Sequence, residues 1–244
     1  MTQLTTGIHS VTELLKSSPS LIDYCIILSN KPSNRLQECI KIIRTNNIAI
    51  KHMSSEEISQ KIKGSNHQNV IAVHKNITST DLCSLIKEKG DDLKLVILDG
   101  VQDPRNLGSC IRTACANNCH AIVLPKNKTP PINETVTKVA CGACAILPIF
   151  QVANIGQTID KLKKFGVWFW GFSEHATSSL YEASFTGPCA LVFGTEDKGI
   201  RQLTKQKCDF LVKIPTNKNF PSLNLSVSLG IATFETNKQK KPKT

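Results

Sequence analysis

Five short, almost wholly apolar runs, at residues 95–98, 121–124, 167–172, 190–193 and 210–214, do most to decide what this chain can fold into. A run without polar alternation is a strand buried on both faces, and such strands belong to parallel sheets covered by helices. Helical segments separate most of the runs, which predicts an open α/β sheet with its ligand site at the strands' carboxyl ends. Upstream, the elements are shorter. The capping-box pattern from Ser10 to Glu13 predicts a helix over Leu14 and Leu15. A strand is expected at 24–29, a helix behind Ser33 carrying Leu36, Cys39, Ile40 and Ile43, a strand at 48–50, a helix at 56–62 and a strand at 70–73. Residues 1–75 therefore read as a small α/β domain. The polar, charged stretch 76–92 reads as a linker and 93–244 as the larger domain. The last helix is expected over 224–235, and the lysine-rich tail 238–244 is expected to fray.

Charge narrows the partners. Thirty Lys and Arg against 19 Asp and Glu give a formal +11, which attracts a polyanion, nucleic acid first. No basic amphipathic helix stands out and no stretch approaches ~18 apolar residues, so no membrane role is expected. Residues 1–6 lack the basic and apolar regions of a secretory signal, so the expected location is the cytoplasm. The ten cysteines then read as reduced thiols packing like small apolar residues. Cys141 and Cys144, with Cys115, Cys119 and His120 upstream, raise a zinc question. A lone Cys-x-x-Cys without a second pair reads as structural, so no metal is expected. The absence of Gly-x-Gly-x-x-Gly after a strand and of a phosphate-binding Gly-x-x-x-x-Gly-Lys-Ser/Thr loop argues against oxidoreductase and nucleotidase readings.

Three loops that follow predicted strands are rich in polar and turn-forming residues. The first, 99–113, makes a turn and then places Asn106 near a helix start and Arg112 on that helix. The second, 193–200, has Gly194 and Gly199 with Glu196 and Asp197 between them. The third, 215–228, contains Ser222, Leu223 and Asn224 immediately before a helix, where Ser or Asn ordinarily caps. Singly, Asn106 reads as a cap, Glu196 as a turn charge and Arg112 as a solvated helix residue.

Together, in this order and spacing, the loops resemble those of the SpoU or TrmH class of RNA ribose methyltransferases, within the SPOUT superfamily. Asp99-Gly100-Val101, Asp103-Pro104, Val139 to Gly142 and Ser222 to Asn224 are most similar to the RlmB-type subgroup, and Gly7-Ile8-His9 resembles the opening of its extra domain. The resemblance implies a deep C-terminal trefoil knot forming an S-adenosylmethionine pocket, which connection rules treat as exceptional. It also implies a homodimer through the C-terminal domain and a ribosomal-protein-like RNA-binding domain at the N-terminus. It assigns Asn106, Arg112, Glu196, Ser222 and Asn224 to catalysis or RNA binding, and Gly194, Ile214 and Leu223 to the cofactor. Two positions depart from the pattern: Asp197 stands where glycine is common, and Pro221 where serine is. An aspartate there would carry a cost if the turn needs a positive dihedral.

The implied reaction is methylation of a ribose 2′-hydroxyl in RNA, with a guanosine of 23S ribosomal RNA as the expected target. Arg112 would hold the adjacent phosphate and stabilise the developing alkoxide, because a guanidinium stays protonated and makes a poor base. Asn106 and Asn224 would orient hydrogen bonds, Glu196 would fix Arg112 or the ribose, and Ser222 would order the third loop. Two alternatives remain at this point: transfer RNA as substrate, and a non-catalytic RNA-binding or ribosome-assembly factor on the same fold.

Overall fold

A computed structural model of the chain describes residues 2–28, 32–54, 67–75, 81–217, 219 and 222–240. The chain divides into two compact units, residues 1–79 with 141–146, and residues 80–140 with 147–244.

In the first unit, β1 (Thr2–Thr6), β2 (Ile22–Ile27), β3 (Ala49–His52) and β4 (Val70–Lys75) form a sheet of order β1-β4-β2-β3, parallel only between β2 and β3. Helix α1 (Ile8–Ser17) starts earlier than the Ser10 capping pattern implies. Gly7 is its N-cap at φ 92°, a backbone region that glycine enters without steric penalty, and Glu13 bonds Lys16 at 3.3 Å. Helix α2 (Asn34–Thr45) begins where expected, with Ser33 Oγ accepting from the Leu36 N–H. Val11, Leu14, Leu15, Leu36, Cys39 and Ile43 of these helices pack on Cys25, Ile27, Val70 and Ala72 of the sheet. Each fully buried Leu or Ile there contributes about 1.5–3 kcal/mol by leaving water. Ala145 joins the same core, so residues 141–146 belong to this unit. A Cβ on Gly142 (φ 89°) would lie 3.0 Å from Ser10 Cα, so glycine is what lets this segment approach α1. The helix expected at 56–62 lies outside the described residues.

The second unit is built on a parallel sheet of order β7-β6-β5-β10-β8-β11-β9. Its strands are β5 (Lys94–Leu98), β6 (Ala121–Pro125), β7 (Ile149–Val152), β8 (Trp168–Phe172), β9 (Ser178–Ser179), β10 (Cys189–Phe193) and β11 (Phe210–Lys213). The five apolar runs are five of these strands. The two edges, β7 and β9, were not expected, because an edge strand needs no continuous apolar run to be held by one neighbour. Residues 82–92, read as linker, are instead helix α3 (Leu82–Lys89) and a 3-10 turn (Gly90–Asp92). Leu82, Leu85 and Ile86 recur at helical spacing and pack with Leu95, Ile97 and Phe169, so burial overrides the surrounding charge.

Helices α4 (Pro104–Ala116), α5 (Glu134–Ala140), α6 (Ile155–Lys163), α7 (Gln202–Lys207) and α8 (Leu225–Lys240) complete the unit. Helix α8 continues past 235, and Lys240 Nζ donates to the carbonyls of Asp91 and Leu93, which holds the expected fraying tail as far as residue 240. Leu98 pairs with Phe193, so the first and second loops leave adjacent strands side by side. The packing of α8 on α4 brings the third loop to the same end.

Candidate active site

Helix α4 is opened by Asp103, whose side chain accepts from the Arg105 N–H at 2.8 Å, with Pro104 in the first helical turn. Asn106 is therefore not the cap, and its amide is available for other work. Its Nδ2 donates to Glu196 Oε1, and its Oδ1 accepts from Asn224 Nδ2 at 3.0 Å. Asn224 Oδ1 accepts in turn from Ser226 N–H at 2.9 Å and Ser226 Oγ at 2.7 Å. A backbone N–H can only donate, so it fixes which end of Asn224 is oxygen and hence the direction of every bond in the chain. Asn224 is both the cap of α8 and a partner of Asn106.

Beside these groups lies a cleft of about 290 Å³ whose walls include Phe172, Glu174, Gly194, Glu196, Ile214 and Leu223. Gly194, Ile214 and Leu223 thus share one cleft, as do Glu196 and Ser222, while Asn106, Arg112 and Asn224 are not among its walls. Glu196 is the joint between the two sets. Apolar walls with carboxylates and bare backbone fit a ligand that carries an aromatic base and a positive centre, as S-adenosylmethionine does. A larger groove of about 910 Å³ along Trp168, Trp170 and Phe210 contains none of the motif residues. Its size is no match for the convergence of polar groups at the smaller cleft.

The second loop closes on itself. Thr195 and Gly199 exchange backbone bonds at 3.1 and 2.9 Å, and a Cβ on Gly194 would lie 1.8 Å from the Gly199 carbonyl carbon. Gly194 is required by its own loop before any ligand arrives. The positive dihedral falls at Gly199 (φ 63°) and not at Asp197, so the aspartate carries no left-handed strain. Pro221 lies outside the described residues.

Beneath the loops, Asp99 is fully buried. Arg201 Nε donates to Asp99 Oδ1 at 2.8 Å, its Nη2 donates to the same oxygen, and its N–H reaches Oδ2 at 3.3 Å. That bonding holds the guanidinium above its ordinary range. This pair ties the first loop to the end of the second, and sequence reasoning missed Arg201. The one signal was an arginine next to a turn, which does not name its partner. Cys110, one turn beyond Asn106, is buried, and desolvation together with the Glu196 charge pushes its thiol up to about 12. Arg112 is exposed, about 9 Å further along α4 and roughly 240° around it from Asn106.

The model of the SpoU rRNA Methylase family matches residues 94–234, and a model described as RNA 2′-O ribose methyltransferase substrate binding matches residues 4–80. The chain belongs to the SpoU rRNA methylase family. Among its SpoU relatives, the 23S rRNA (guanosine-2′-O-)-methyltransferase RlmB of Vibrio parahaemolyticus is 38% identical, with 96% of each chain covered. The Escherichia coli RlmB is 37% identical over 98% of this chain and all of its own length. The fold is shared with the SpoU methyltransferase AviRb of Streptomyces viridochromogenes, solved in complex with the cofactor AdoMet, at a TM-score of 0.76, 20% identity and coverage of 98% of this chain and 90% of that one. In this SpoU chain the motif residues read from sequence fall into the asparagine chain and the cleft, with Arg112 on the outer face of α4.

Proposed function

We propose that this protein methylates the 2′-hydroxyl of a guanosine in 23S ribosomal RNA, with S-adenosylmethionine as methyl donor. The observation that carries the reading is that Glu196 both walls the cleft and accepts from Asn106, which joins a cofactor-sized cavity to a fixed set of polar groups. The reaction named for the near-full-length RlmB relatives supports the same target.

When bound, S-adenosylmethionine supplies a methyl group already activated by its sulfonium. The protein's work is alignment of the ribose oxygen and management of one proton. Gly194, Ile214 and Leu223 hold the donor through backbone and apolar contact. Asn106 and Asn224, fixed in direction by Ser226, orient the ribose, and Ser222 orders the third loop. Arg112 holds the neighbouring phosphate and stabilises charge developing on the 2′-oxygen, while the proton leaves to that phosphate or to water. Glu196 sets the Asn106 amide and limits the approach to one direction.

Residues 1–75 deliver the RNA. Among their described cations, Lys51 lies 3.8 Å from the centre of the Tyr24 ring, a combination of charge and aromatic face suited to a nucleic acid. The active form is a homodimer through the C-terminal domain. Helix α8 supports this, for Leu225, Leu229 and Ala232 are buried while Val227, Ile231 and Phe234 make an exposed apolar stripe at helical spacing. The reading also carries the trefoil knot, with the loops that wall the cleft as its crossing segments, and a cytoplasmic location. Among the described residues no helix is long and apolar enough to cross a membrane.

The test is a map of 2′-O-methylation across ribosomal and transfer RNA from cells with and without this protein. One 23S guanosine losing its methyl group supports the proposal. A site lost from transfer RNA, or none lost, overturns it.

A further inference from the structure

Lys94 opens β5 and is only 2% exposed, yet nothing in the cleft or the asparagine chain accounts for it. Its Nζ donates to the Asn117 carbonyl at 2.5 Å and to Asn237 Oδ1, and Asn237 Nδ2 donates to the same carbonyl at 2.9 Å. Asn117 is the C-cap of α4, where a helix leaves carbonyls without partners and presents its negative end to a cation. The backbone of Lys94 is itself clamped, its N–H donating to His120 Nδ1 at 3.0 Å and its carbonyl accepting from the His120 N–H at 2.9 Å. Burial and the facing Lys240 ammonium pull Lys94 below the ordinary lysine range, while the Cys119 and Cys189 thiols oppose that shift. A charge kept at such a site is expensive unless its bonds are well made.

The position matters more than the charge. Helices α4 and α8 are joined near one end by Asn224 and Asn106 and near the other by Asn237, Asn117 and Lys94. From Asn106 to Asn117 is about 16 Å of helix, and from Asn224 to Asn237 about 20 Å. Between the two ties, Gly230 leaves only 3.4 Å between its would-be Cβ and Thr113 Cγ2. A slip of one residue moves a helix by about 1.5 Å and 100°, so it breaks both ties at once.

We propose that Lys94 is a positioning residue for methyl transfer, pinning the far ends of α4 and α8 so that Asn224 stays in register with Asn106. The proposal rests on the reading of those two asparagines as part of the active site. Lys94 acts through them and touches neither RNA nor cofactor.

The experiment is a double-mutant cycle in the full-length protein, read as kcat for RNA methylation and affinity for S-adenosylmethionine. Lys94→Met lowers kcat about ten- to a hundredfold and leaves cofactor affinity unchanged. In an Asn224→Ala background it lowers kcat no further, because the contact it positions is already gone. An equal loss in both backgrounds, no loss in either, or a matching fall in cofactor affinity overturns the role of Lys94. If Lys94→Met does not fold, Asn237→Ala removes the other half of the tie and enters the same cycle. Full activity in Asn224→Ala alone overturns the active-site reading instead, and the proposal with it.

Discussion

Asn224 donates its amide proton to Asn106 across 3.0 Å, joining residues 118 apart in sequence, and Ser226 fixes the direction of that bond from behind. The relationship separates two roles of one side chain. Asp caps a helix as well as Asn does, but offers no donor toward Asn106. Asn224→Asp is therefore expected to keep its melting temperature and lose about a hundredfold in kcat, the scale of one preorganised donor. Thermal melts run beside methyl-transfer assays check it.

Gly194→Ala is expected to fail as a loop and not merely as a pocket. The added carbon would sit 1.8 Å from the Gly199 carbonyl carbon and 2.1 Å from the Ile200 nitrogen, both backbone atoms that cannot swing away. Calorimetry should show no S-adenosylmethionine binding, and chemical denaturation should show a loss of stability as well.

Arg201→Met strands a carboxylate that is fully buried. The Arg201 side chain is 43% exposed, so the cost lies in the carboxylate left without its partner, whereas Asp99→Asn removes the charge that needs pairing and should cost less. Urea denaturation of the two variants tests the order.

Burial pushes the thiols of Cys25, Cys110, Cys119 and Cys208 up to about 12 and that of Cys189 to about 11. Between an ordinary thiol value of 9.0 and these values the folded chain binds more protons than the unfolded one. Their contribution to stability is complete below pH 9 and is lost as pH rises toward 12. The urea midpoint at pH 10 should lie below that at pH 8, and Cys119→Ala should shallow the fall.

Much of this was legible because buried parallel strands announce themselves. Residues 95–98 and 190–193 are apolar on both faces, and the loops after them carry the polar groups that a strand interior excludes. Asn106 and Asn224 were legible as candidates, but their bond was not, since nothing local in the sequence sets the packing of α8 on α4. Arg201 was missed for the same reason: its partner Asp99 is 102 residues away. Residues 82–92 were misread because five Lys and acidic side chains outweighed three leucine and isoleucine positions whose burial depends on the sheet. Thr2–Thr6 carries almost no apolar signal and is held as a strand by backbone pairing with β4. At Ser10 a good local capping pattern lost to Gly7, which turns the chain three residues earlier.

The central claim is that the asparagine chain belongs to the reaction while the cleft belongs to the donor. Asn106→Ala tests it most directly, with transfer of a radiolabelled methyl group to 23S ribosomal RNA measured beside calorimetric affinity for S-adenosylmethionine. The account predicts loss of methyl transfer by about a hundredfold or more with donor affinity unchanged. Retained transfer, or donor affinity that falls in step with it, would contradict the account.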